Sequence, residues 1–191
     1  MNTEIAGPVL ACIWIAFWAY WFISAARTRA SVKRRQPFPP LLLITFVLIL
    51  AWVLFAGAAP PGLLQERVIP GSEWGDPAGL VITALGLAIA VWARVHLGRN
   101  WSSRPVIQVG HTLIRTGPYR FVRNPIYTGL LVGYIGTAIV IGAFWAFVLI
   151  IFLLAAFLMR IREEEKLLLG EFGEEYEKYR REVKALIPYL F

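Results

Sequence analysis

The chain has 191 residues, of which 58% are hydrophobic and 16% charged, with a net charge of +7. A water-soluble domain of this size has too little interior to hide so much apolar surface, so the composition points to a bilayer. The basic residues fall between apolar runs, which fits the inner face of a membrane protein and argues against nucleic acid as a partner.

Residues 7–26 run without a charge and are followed by Arg27 and Arg29. At a rise of about 1.5 Å per residue such a run spans one hydrocarbon core. Only Glu4 precedes it, and the basic residues come after it. That order predicts a retained first span with its N-terminus outside, not a cleaved signal peptide. Cys12, the single cysteine, lies in this run as a packing residue and excludes an intramolecular disulfide. Five basic residues between Arg27 and Arg35 mark the cytoplasmic side, and a second span is predicted over 41–59.

Pro60, Pro61 and Gly62 end that span, and Glu66, Glu73 and Asp76 put the next segment outside. A third span over 78–97 carries Gly79, Thr83, Gly86 and Ala90, small residues that permit close helix approach. After a central polar loop, the apolar run from Ile126 to Met159 is too long for one span. Gly142 and Ala143 near its middle split it into a tight hairpin of spans 126–141 and 144–159. Gly129 and Gly133 form a packing face on the first of these. Beyond Arg160, the positions Leu167, Leu168, Phe172, Tyr176, Tyr179 and Val183 recur every three to five residues. They predict an amphipathic helix against the cytoplasmic face.

The expected fold is therefore all-α: a single membrane domain with five transmembrane helices and a C-terminal amphipathic cytoplasmic helix. Of 19 Lys and Arg, only Arg67 falls in a segment assigned outside, leaving 18 inside. That asymmetry puts the N-terminus outside and the C-terminus in the cytoplasm.

The chemistry gathers in two cytoplasmic segments, 98–125 and 160–191. In the first, Asn124 and Pro125 are a favoured N-cap and first helical residue, so a span should begin there. A helix N-terminus flanked by Arg120 and Arg123 suits a carboxylate or a phosphate, or anchors the loop to anionic headgroups. In the second, Glu163, Glu164 and Glu165 follow a span on its basic side. They read either as a solvated helix start, with Glu163 pairing to Lys166, or as a carboxylate site for a cationic ligand. His96 and His111 are the only histidines, and nothing near them has metal-ligand spacing.

The ordered set changes this reading. His111, Leu113, Ile114, Gly117-Pro118-Tyr119, Arg123-Asn124-Pro125-Ile126-Tyr127 and Gly129 are followed by Glu164, Glu165, Tyr176 and Tyr179. Together, over roughly Arg94 to Pro188, they resemble the isoprenylcysteine carboxyl methyltransferase family, which is related to phospholipid methyltransferases. The resemblance implies an integral-membrane enzyme using S-adenosyl-L-methionine, held between the loop and the segment after the fifth span. His111 to Ile114 would line the adenine, with Leu113 and Ile114 offering backbone groups. Gly117, Tyr119, Arg123, Asn124, Pro125 and Tyr127 would surround the cofactor, and Glu164 and Glu165 would face its amino group or ribose. Arg123, Asn124 and Glu165 are the candidate catalytic residues, and no metal is expected.

Asn124 stands where the family has a histidine, and an amide does not titrate near neutrality. Carboxyl O-methylation needs no base, because the acceptor oxygen is already anionic at pH 7. The expected substrate is an isoprenylcysteine-like or lipid-linked carboxylate entering from the bilayer, with Arg94, Arg99 and Arg104 as candidates to steer its polar tip. The alternatives are a phospholipid N-methyltransferase, a sterol-reductase-like enzyme and a non-enzymatic membrane protein.

Overall fold

A computed structural model describes residues 3–26, 32–35, 68–69, 74–98, 106–108 and 112–189. Its helices are α1 (Thr3–Ala26), α2 (Gly75–Leu97), α3 (Pro125–Ile141), α4 (Phe144–Phe172) and α5 (Glu174–Glu182). Among the described residues, α1, α2 and α4 are long and apolar enough to cross a membrane, and α3 is a shorter apolar helix. The predicted second span, 41–59, lies outside the described residues.

The architecture is that of an all-helical membrane protein with one addition. Strands β1 (Val32–Arg35) and β2 (Val106–Gln108) pair antiparallel, with Val32 opposite Gln108 and Arg35 opposite Val106. Neither strand was expected, because three or four residues inside polar loops are too few to show an alternating pattern. The ribbon ties the segment after α1 to the segment that leads into the central loop.

The core is built around α2 and α3, which approach until backbone meets backbone. A Cβ on Gly86 would lie 2.4 Å from the Gly133 nitrogen and 2.6 Å from the Gly129 oxygen. One on Gly136 would lie 2.4 Å from the Thr83 nitrogen. Lipid offers no hydrophobic incentive for helices to pair, so close van der Waals contact and buried hydrogen bonds must do so. Both are present. Thr83 Oγ1 donates across the pair to the Gly133 carbonyl at 3.3 Å and lies 3.4 Å from Thr137 Oγ1. The small residues expected to allow this contact are the ones that make it.

Helix α1 joins this pair through Ala6, Leu10, Trp14, Phe17 and Trp21, a buried stripe at helical spacing. Trp14 stacks on Tyr134 at 4.9 Å between centroids and donates its indole N–H to Thr137 Oγ1 at 3.0 Å.

Helix α3 ends at Gly142 in the left-handed region, φ 69°, and its N–H reaches the Ala138 carbonyl. That carbonyl-rich turn is the sort of helix end only glycine closes cheaply. Helix α4 begins two residues on and continues for 29 residues. At a rise of about 1.5 Å per residue it is roughly 43 Å long, more than one hydrocarbon core. The helix thus runs on past 159, where the fifth span is expected to end, and the charged tail is helical in two pieces, the end of α4 and α5, where one amphipathic helix was expected. The pairs Arg160–Glu164 and Glu163–Lys166, both 2.7 Å, carry the helix through its charged stretch. It stops at Gly173, φ 51°, and α5 follows as a distinct short helix. The apolar face expected over the tail is kept across the break, since Leu167, Tyr176 and Tyr179 are all buried.

Candidate active site

The central loop reaches α3 through a 3-10 turn at Gly117–Arg120. Gly117 has φ 59°, and a Cβ there would meet the His96 ring at 2.6 Å. Two demands, a left-handed backbone and a ring packed against it, converge on glycine at this position. His96 Nε2 lies 2.8 Å from Thr116 Oγ1, and its ring stacks beside Tyr119 at 6.4 Å. Tyr119 is buried and donates its hydroxyl to the Ala93 carbonyl at 3.4 Å, which fixes the loop to the end of α2.

Asn124 and Pro125 start α3 as the sequence predicts, with proline in the first turn. The Asn124 side chain makes no capping bond, however. Its Nδ2 donates instead to the Ala185 carbonyl at 3.2 Å.

Arg123 is the junction of the site. Its Nε and Nη2 donate to Glu165 Oε1 at 2.9 and 2.7 Å. Its Nη1 donates to the Arg180 carbonyl at 3.1 Å and to the Val183 carbonyl. One guanidinium thus joins the loop, α4 and the C-terminal tail, using the fork geometry a lysine lacks. Beside it, Glu164 Oε1 accepts from Arg160 Nε at 2.7 Å and from the Tyr127 hydroxyl at 3.1 Å. Each glutamate is engaged by an arginine through Oε1.

The tail closes one side of this corner. Val122 and Lys184 form a parallel bridge, and the Arg123 and Asn124 N–H groups donate to the Lys184 and Ala185 carbonyls at 2.8 and 3.0 Å. Thr128 Oγ1 donates to the Leu186 carbonyl at 2.8 Å. Tyr179 donates its hydroxyl to the Tyr119 carbonyl at 2.6 Å. Burial pushes the Tyr179 phenol up to about 12, although Arg123 and Arg115 pull it down. It therefore stays protonated and keeps donating at neutral pH. Burial likewise raises Tyr176 and Tyr119. Arg115 lies over the Tyr179 ring at 5.2 Å and pairs with Glu182 on the outer edge of the tail.

The structure brings together Tyr119, Arg123, Asn124, Pro125, Tyr127, Glu164 and Glu165 from the sequence reading. Leu113 and Ile114 are half-buried on the approach to the 3-10 turn. Arg94 is buried and donates to the Ser24 and Gly98 carbonyls, both at 3.2 Å, so it closes two helix ends. Arg120 lies over the Phe121 ring at 5.0 Å. His111, Arg99 and Arg104 lie outside the described residues. Sequence reasoning missed Arg160 as a site residue, treating it only as the end of a span. Its spacing of four from Glu164 on a continuous helix was the available signal. It also missed the run 183–186, whose carbonyls accept from residues about sixty positions earlier.

Known proteins share sequence and fold with parts of this chain. The family model for isoprenylcysteine carboxyl methyltransferase matches residues 79–170. A protein-S-isoprenylcysteine O-methyltransferase of Schizosaccharomyces pombe is 37% identical over 81 residues, covering 42% of this chain and 34% of that protein. A probable protein-S-isoprenylcysteine O-methyltransferase of Oryza sativa subsp. indica is 34% identical over 119 residues, covering 59% of this chain and 60% of that protein. The chain thus spans between a third and three fifths of these relatives. The solved structure of the eukaryotic intramembrane Ras methyltransferase, isoprenylcysteine carboxyl methyltransferase, superposes with a TM-score of 0.60. At 24% identity it covers 81% of this chain and 55% of that one, a likeness of fold.

Proposed function

The family model for isoprenylcysteine carboxyl methyltransferase matches residues 79–170, and from that premise we propose that this chain is an S-adenosyl-L-methionine-dependent methyltransferase of the membrane. Its acceptor is the carboxylate of an isoprenylcysteine-like or lipid-linked molecule that enters from the bilayer. The observation that carries this reading is the contact of Arg123 with Glu165, because it joins the basic loop to the acidic stretch of α4 in one corner.

The residues fit the cofactor in sign. S-adenosyl-L-methionine, when bound, supplies an electrophilic methyl group on a sulfonium, together with one carboxylate and one ammonium. Glu164 and Glu165 carry the charge that suits its ammonium and sulfonium. Arg123 and the N–H groups at the start of α3 suit the carboxylate. Gly117, Tyr119, Pro125 and Tyr127 border the same space, and His111, Leu113 and Ile114 are assigned to the adenine. Catalysis is assigned to Arg123 and Glu165 as aligning groups. No residue has to remove a proton from a carboxylate acceptor, so the protein contributes placement and the exclusion of water. A phosphatidylethanolamine acceptor would need a base, which makes lipid N-methylation the second reading.

The topology we read has five spans, 7–26, 41–59, 78–97, 126–141 and 144–159, with the last two as a hairpin. The N-terminus is outside, and 98–125 and 160–191 form the cytoplasmic face of a single domain. Calorimetry on detergent-solubilised protein should show heat on addition of S-adenosyl-L-methionine and of its demethylated product. Radiolabelled methyl should reach a farnesylated cysteine analogue and not phosphatidylethanolamine. Silence in calorimetry with both nucleosides would end this reading, and label on the phospholipid would replace it with the second.

A further inference from the structure

We infer that Asn124 is a positioning residue that clasps the C-terminal tail onto the start of α3 and takes no proton in the reaction. An asparagine at an N-cap ordinarily turns its side-chain oxygen back to the helix N–H groups. Asn124 does not, at φ −126° and ψ 58°. Its backbone N–H and its Nδ2 converge on one acceptor, the Ala185 carbonyl, at 3.0 and 3.2 Å. A carbonyl oxygen has two lone pairs, and both are met.

The neighbouring carbonyls are read in the same way. Lys184 is held by the Arg123 N–H at 2.8 Å and Leu186 by Thr128 Oγ1 at 2.8 Å. Three consecutive carbonyls of the tail are therefore fastened by residues 123, 124 and 128, and Leu186 is buried to 2% beneath them. Asn124 supplies the only side-chain amide in that row. An amide suits the place chemically, because it donates at every pH and adds no charge next to Arg123 and Glu165. An imidazole N–H could donate to the same carbonyl. A carboxylate of the same size could only accept, and would set two oxygens against each other.

The consequence for activity rests on the proposed cofactor site, but the clasp itself can be read without it. Asn124→Ala, Asn124→Asp and Asn124→His are compared with the full wild-type chain in detergent by amide hydrogen exchange. Exchange over 183–189 should rise roughly five- to tenfold in the Ala and Asp variants, about the worth of one hydrogen bond. It should stay within about twofold in the His variant, because one N–H donor replaces another. Exchange over 125–141 should be unchanged in all three, which separates a loosened tail from a lost fold. In the methyl-transfer assay the Ala and Asp variants should raise KM for S-adenosyl-L-methionine and leave kcat within about twofold, as expected for loss of placement. Unaltered exchange over 183–189 in both Ala and Asp, or a fall in kcat at constant KM, overturns the clasp. A wild type that binds no S-adenosyl-L-methionine overturns the proposed function instead, while the exchange result still decides the role of Asn124.

Discussion

Between α2 and α3, glycine faces glycine and no side chain intervenes, so each helix is shaped to the backbone of the other. At the corner formed by the loop, α4 and the tail, the links to α4 run through long polar side chains, Arg123 to Glu165 and Tyr127 to Glu164, beside the backbone bonds that hold the tail. The first contact tolerates no added atom and carries no charge. The second is adjustable, since arginine and glutamate can exchange one oxygen or N–H for another without moving the backbone. A scaffold that cannot shift thus supports a corner whose donors can be re-partnered, as the proposed zwitterionic cofactor would require.

The contrast is broken most severely from the scaffold side. Gly86→Val places atoms where the Gly129 and Gly133 backbone already sits, so the helices must separate. Overpacking of this kind costs about 3 kcal/mol or more. A fall in melting temperature of roughly 6–12 °C in detergent follows. A variant that melts with the wild type would show that the helices do not meet as described.

The site side should break more gently and more selectively. Glu165→Ala leaves Arg123 without its carboxylate partner, and a charge-assisted hydrogen bond is worth about 1.5–3 kcal/mol. Affinity for S-adenosyl-L-methionine should fall roughly 10- to 100-fold by calorimetry, with a melting temperature closer to wild type than that of Gly86→Val. Equal losses of melting temperature in the two variants would erase the distinction between scaffold and site.

The smallest effect is expected at the rim. Arg115 and Glu182 pair where their side chains are 33% and 47% exposed. Surface pairs contribute about 0.2–1 kcal/mol and are screened by salt. Arg115→Gln should therefore lower the melting temperature by no more than about 2–4 °C in low salt. The difference should vanish near 1 M salt, where the screening length is only about 3 Å. A salt-independent loss would assign the contribution of Arg115 to its stacking on Tyr179 instead.

How much of this was legible in the sequence follows the same division. The stripe Gly79, Thr83, Gly86, Ala90 and its counterpart Gly129, Gly133 repeat at helical spacing, so the scaffold contact could be read from period alone. The start of α3 was legible because Asn124 and Pro125 are local signals, and the family resemblance joined the arginine loop to Glu164 and Glu165. The tail was not legible. The carbonyls of 184–186 are backbone groups that any residue supplies, and their partners lie about sixty positions earlier. The role of Asn124 was hidden for the same reason, since an N-cap preference describes where such a residue sits and not which acceptor it chooses. That the charged stretch beyond 159 continues the same helix was not legible, because charge marks the end of an apolar stretch and says nothing of where a helix stops.

Helix α4 is one stiff rod from Phe144 to Phe172, and Glu164 and Glu165 ride on the part that projects past the apolar stretch. Lipid grips the lower portion of the rod, whereas the arginine opposite is mounted on a loop tied to α2 and the tail. The height at which the carboxylates stand is thereby set from the far end, by how deeply the rod is seated in its surroundings. Membrane thickness becomes a mechanical input to the corner: a thinner or thicker host layer tilts or lifts the rod and retunes the gap across which Arg123 must reach.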